Sequence, residues 1–91
     1  MVKVFFNPDY TQTAMPADVK IEALEFIADI ATHELKTALD IGQNGDEPWI
    51  RHPLVTPAAR IMGGTRSISP GDVLQLDGEW FMVMALGFEK I

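Results

Sequence analysis

The stretch Val73-Leu74-Gln75-Leu76-Asp77-Gly78-Glu79-Trp80-Phe81-Met82-Val83-Met84 decides the fold. Asp-Gly between two apolar runs suits a type I′ turn, which needs two consecutive residues with positive φ and matches the twist of antiparallel strands. A two-residue loop sets Leu76 opposite Glu79, Gln75 opposite Trp80, Leu74 opposite Phe81 and Val73 opposite Met82. Side chains alternate along a strand, so one face carries Leu74, Leu76, Phe81 and Val83, and the other Val73, Gln75, Trp80, Met82 and Met84. A hairpin wet on one side alternates apolar with polar residues, and this one is apolar on both.

Three arrangements would account for the second apolar face. The sheet curls, or the segment 42–64 covers it with Trp49 and Ile50 as the lid. Alternatively it meets a second copy or another protein, for which Trp and Met suit through area and adaptability. The third arrangement is an apolar ligand pocket. Trp80, Met82 and Met84 are therefore candidate partner-binding residues.

Outward from the hairpin, Val2-Lys3-Val4-Phe5-Phe6 is β-branched and aromatic and is stopped by Asn7-Pro8-Asp9, which predicts an N-terminal strand. Pro16 at a first helical position and Asp18 in the first turn mark a helix start. From Val19 to Leu39 apolar residues recur at three- and four-residue spacing, with Gly42 as a stop, which predicts one long helix over about 16–41. Its solvent side would carry Glu22, Glu25, Asp29 and Lys36. Residues 42–53 read as loop, Thr56 to Met62 as a short helix, and Thr65 to Ile68 as a short strand. The expected architecture is a single α+β domain, 1–91. It has a small, mostly antiparallel sheet of the N-terminal and C-terminal strands with the long helix on one face.

Ninety-one residues, 47% hydrophobic and 22% charged, suit one ordinary hydrophobic core. No Cys is present, which removes disulfides and thiolate chemistry. The opening apolar run is too short for a secretory leader or a membrane span, which points to a cytoplasmic protein without membrane contact.

The net charge of −6 is unevenly spread. Residues 9–47 hold nine acids against Lys20 and Lys36, whereas 48–71 hold Arg51, Arg60 and Arg66 with no acid. An acidic balance argues against general nucleic-acid binding, since phosphate affinity comes from Lys and Arg.

No catalytic or cofactor constellation is present. Gly63-Gly64-Thr65-Arg66 lacks the spacing and the Lys of a phosphate loop, and reads as a flexible joint. Ser67 and Ser69 have no nucleophile elbow, and His33 with Asp29 four residues earlier reads as a surface pair rather than a metal half-site. No metal and no cofactor are expected.

The tail from Arg66-Ser67-Ile68-Ser69-Pro70-Gly71-Asp72-Val73 through Trp80 to Gly87-Phe88-Glu89-Lys90-Ile91 resembles the C-terminal segment of short proteins encoded by phages, plasmids and bacterial genomes. Those tails carry Arg-Ser-x-Ser-x-Gly-Asp-Val, a hydrophobic hairpin and a terminal Gly-Phe or Gly-Trp. The resemblance covers roughly the last 26 residues and carries no assigned activity. It implies a mobile-element setting, in which small acidic proteins bind host machinery.

The expected function is a non-enzymatic protein-interaction module, of the kind a mobile element uses to inhibit host machinery. It would act through an acidic helix face (Glu22, Glu25, Asp29) and the hairpin face (Trp80, Met82, Met84), on another protein or as a homodimer. Two alternatives are a small enzyme or ligand-binding protein with a site around Arg51, His52 and Arg66, and single-stranded nucleic-acid contact through Arg51, Arg60 and Arg66 with Trp49 as a stacking platform.

Overall fold

The Asp-Gly turn imposes its expected register. In the computed structural model, which describes residues 1–91, Asp77 and Gly78 have φ of 52° and 80°. All four cross-strand pairs from Val73–Met82 to Leu76–Glu79 form. The chain runs β1 (Val2–Phe6), β2 (Glu25–Ile30), α1 (Leu35–Ile41), β3 (Val55–Pro57), β4 (Val73–Leu76), β5 (Glu79–Met84) and β6 (Gly87–Lys90). The strands make one antiparallel sheet in the order β3-β2-β1-β4-β5-β6. The N-terminal strand thus sits at the centre, between β2 and β4, where its β-branched and aromatic residues are buried best.

One face carries Val2, Val4, Ile30, Val55, Leu74 and Val83, and against it pack Ala38 of α1 together with Trp49 and Ile50. This is the expected α+β arrangement of an antiparallel sheet with a helix on one face. The helix itself is far shorter than the 16–41 span expected. Residues 10–23 instead make three separate 3-10 turns, Tyr10–Gln12, Pro16–Asp18 and Ile21–Ala23, and Glu25–Ile30 is strand β2. Within β2 the helix-like spacing comes from a bulge. Val4 pairs with Ala28 but Phe5 pairs with Phe26, so Ile27 is an extra residue on β2. One inserted residue turns a two-residue alternation into spacing that imitates a helix, and pairing with β1 and β3 then overrides helix propensity.

Two smaller expectations also change. Thr56 and Pro57 belong to β3 and not to a helix. Residues 65–68 do not join the sheet. Their carbonyls are held by side chains instead: Asn44 Nδ2 donates to Thr65 O at 2.7 Å, Trp49 Nε1 to Arg66 O at 2.9 Å and Gln43 Nε2 to Ile68 O at 2.9 Å. With the backbone groups satisfied this way, a strand partner is unnecessary.

Part of the opposite face of the sheet is buried within the chain. Val73 is fully buried and Met82 is only 2% exposed. Phe5 lies between Phe26 and Trp80, with ring centroids 5.5 and 4.9 Å away. The lid is not the one expected, because Trp49 and Ile50 join the core on the helix side. No helix of the protein is long and apolar enough to cross a membrane.

Candidate functional site

The Arg66 to Val73 stretch builds a clasp that ties the segment after β1 to the segment ahead of β4. Pro70-Gly71 turns the chain so that Asp72 enters the interior, where it is fully buried. Its carboxylate accepts four hydrogen bonds. Arg66 Nη1 donates at 2.6 Å and Nη2 at 2.8 Å, the Ser69 amide at 2.8 Å and the Asn7 amide at 2.9 Å. The bidentate fork is the strongest form of this ion pair. The Arg66 guanidinium lies between two rings, 3.9 Å from the Phe6 centroid and 3.8 Å from that of Tyr10.

Asn7 completes the clasp. Its side chain donates to Gly71 O at 3.1 Å and Thr13 Oγ1 at 2.9 Å and accepts from the Asp9 amide at 3.0 Å. Gly71 has φ of 97°, and a Cβ there would collide with the Tyr10 carbonyl, so only glycine fits. The hydrogen bond to Asp72 is the main cause holding the Arg66 pKa above its ordinary value, against a desolvation that lowers it. No buried side-chain polar atom is left without a partner. A fully satisfied network of this kind rigidifies the fold around it.

A cleft of about 510 Å³ lies elsewhere, between the end of α1 and the Trp49–Arg51 turn. Arg51, His52, Asp40, Glu47 and Gln43 line it. His52 Nδ1 accepts from the Leu54 amide at 3.1 Å. Of the three residues expected to share a ligand site, Arg51 and His52 therefore sit together. Arg66 lines a separate hollow of about 180 Å³ with Phe6, Asn7, Pro8, Tyr10 and Glu25. No group of three or more His, Cys, Asp or Glu gathers as a metal site would require.

The residues expected to contact nucleic acid are already engaged. Trp49 is 2% exposed and spends its indole N–H on Arg66 O, so it offers no stacking face. Arg60 donates to Phe26 O at 2.6 Å and Arg66 is clasped by Asp72, which leaves Arg51 alone.

The expected acidic helix face does not exist, because its residues are not on a helix. Glu22 is on the Ile21–Ala23 turn and exposed, Glu25 opens β2 and is exposed, and Asp29 is half-buried and paired to Lys3 at 3.0 Å. Of the hairpin trio, Met82 is buried while Trp80 and Met84 are half-buried. Asp18, Glu22 and Glu25 still share one continuous surface segment. The three 3-10 turns over 10–23 contain no buried residue, and Met15 and Ile21 there are 60% and 40% exposed.

Ion pairing leaves the acidic balance on the unpaired side chains. Lys3, Lys36, Arg66 and Lys90 are paired with Asp29, Asp40, Asp72 and Glu79. With Arg60 on a carbonyl, the side-chain cations free of a partner are Lys20 and Arg51. Asp9, Asp18, Glu22, Glu25, Glu34, Asp46, Glu47, Asp77 and Glu89 have no cation within ion-pair distance. Compared with protein-family models, with curated proteins and with solved structures, the chain matches none.

Proposed function

We infer that the protein is a non-enzymatic interaction module whose anionic surface receives a basic surface of another protein. The observation that carries this reading is the distribution of charge: four of the seven Lys and Arg are paired with the chain's own carboxylates, and nine carboxylates remain without such a partner. The exposed connection between β1 and β2 supplies Asp18, Glu22 and Glu25 beside Met15 and Ile21, a mixture of charge for steering and apolar area for adhesion. The resemblance of the tail to mobile-element proteins fits host machinery as the target. Affinity capture from the source cell, with the wild type and a Glu22→Lys, Glu25→Lys variant at low and high ionic strength, tests it. A specific protein retained at low salt, reduced by high salt and by the double reversal, is the expected result. Equal retention by both proteins at both salts refutes it.

The cleft carrying Arg51 and His52 favours a second reading, a site for a small anionic molecule. Calorimetric titration with small carboxylates and phosphates would give heat with the wild type and none with Arg51→Ala.

A further inference from the structure

The two edges of the sheet are not equivalent. At β3 the Ala31 amide donates to Leu54 O and the Ala58 amide to Ile27 O, so residues 54, 56 and 58 bond to β2 while 55 and 57 point outward. The Val55 amide is already given to His52 O, and Pro57 has no N–H. That edge offers no donor to an incoming strand. At β6 the Ile91 amide donates to Trp80 O, so residues 87, 89 and 91 bond to β5 and the backbone of Phe88 and Lys90 points outward. Nothing in the chain takes up those outward groups. Beside them Leu86, at the tip of the β5–β6 turn, is 97% exposed and Ile91 is 38% exposed.

A second copy fits this edge poorly. The two-fold register that uses both Phe88 and Lys90 sets Glu89 against Glu89 of the other copy, which is repulsive at the short distance of a non-hydrogen-bonded pair. Centring on Lys90 opposes two lysines instead. Centring on Phe88 avoids both clashes but pairs Lys90 with Leu86, which lies in the turn.

We propose that β6 is a docking edge that takes an extended, cation-bearing segment of a partner protein as a seventh, antiparallel strand. This rests on the interaction reading above and specifies how a basic partner is held. The partner's backbone exchanges hydrogen bonds with Phe88 and Lys90. The residue between those two pairs faces Glu89, which is exposed and has no cation of its own. A Lys or Arg there completes an ion pair, and an apolar neighbour lies over Phe88.

The test uses the full chain and a short synthetic peptide of alternating lysine and valine. Adding the peptide slows amide exchange at Phe88 and Lys90. N-methylating its valines, or Lys90→Pro in the protein, which removes the outward donor and the ion pair to Glu79 but no hydrogen bond of β6 to β5, weakens binding about tenfold. Glu89→Lys weakens it comparably. Unchanged exchange at Phe88 and Lys90, or equal affinity for the N-methylated peptide, overturns the proposal. Protection that grows with protein concentration in the absence of peptide assigns the edge to a second copy and overturns it too. Salt-sensitive capture of a cellular partner that survives Lys90→Pro would refute the edge and leave the interaction reading standing. Peptide binding at β6 without any salt-sensitive cellular partner would do the reverse.

Discussion

Asp72 is the residue on which the clasp depends, since a single buried carboxylate joins Asn7 behind β1 to Arg66 and Ser69 ahead of β4. Asp72→Ala strands a guanidinium and two amides, and should destabilise the protein by about 3 to 5 kcal/mol in urea unfolding. Two glycines separate the effects of conformation and space. Gly78→Ala meets nothing within 4 Å and should cost only the left-handed penalty, about 1 kcal/mol. Gly71→Ala adds a collision with the Tyr10 backbone, so about 2 to 3 kcal/mol or more is expected. Because folding raises the Arg66 pKa, its contribution is complete below the ordinary arginine value and is lost only as pH rises through the higher folded one. Arg66 therefore adds no pH dependence to stability near neutrality. In the sequence Asp72 reads as a turn residue and Asn7 as a strand terminator. The Arg and Asp six apart in the motif were the available signal, but only the folded chain shows that Asn7 meets them.

At the scale of elements, legibility followed local chemistry. The register of the β4–β5 hairpin is readable because Asp77-Gly78 dictates its own geometry, and β1 is readable because Asn7-Pro8 ends it. β2 is not, since the bulge at Ile27 that disguises it exists only in relation to β1. The same limit applies to the hairpin's second face. Apolarity on both sides is visible in the sequence, whereas the burial of Met82 depends on how distant segments fold back. Met82→Lys would place an uncompensated charge in the interior, and a loss of about 3 kcal/mol in stability is expected by thermal or urea unfolding. The same substitution at exposed Leu86 should change stability by less than about 0.5 kcal/mol. Of the candidate ligand site, the adjacency of Arg51 and His52 was legible from their positions in one loop. The diversion of Arg66 to Asp72 was not.

Over the whole molecule, the arginines that interrupt the acidic sequence do not make a basic patch, because the fold holds Arg60 on the Phe26 carbonyl at the surface and Arg66 on the buried Asp72 carboxylate. What remains outside is an acidic surface whose field extends about a Debye length, roughly 8 Å at physiological ionic strength. Such a field acts mainly on encounter, so it should govern how fast a basic partner arrives more than how slowly it leaves. The association rate of the captured partner, followed against ionic strength by stopped-flow fluorescence of Trp80, tests this most directly. A rate that falls steeply with added salt, with a dissociation rate that changes little, is the result expected. A rate indifferent to salt, or one that rises with it, would contradict the anionic surface as the site of recognition.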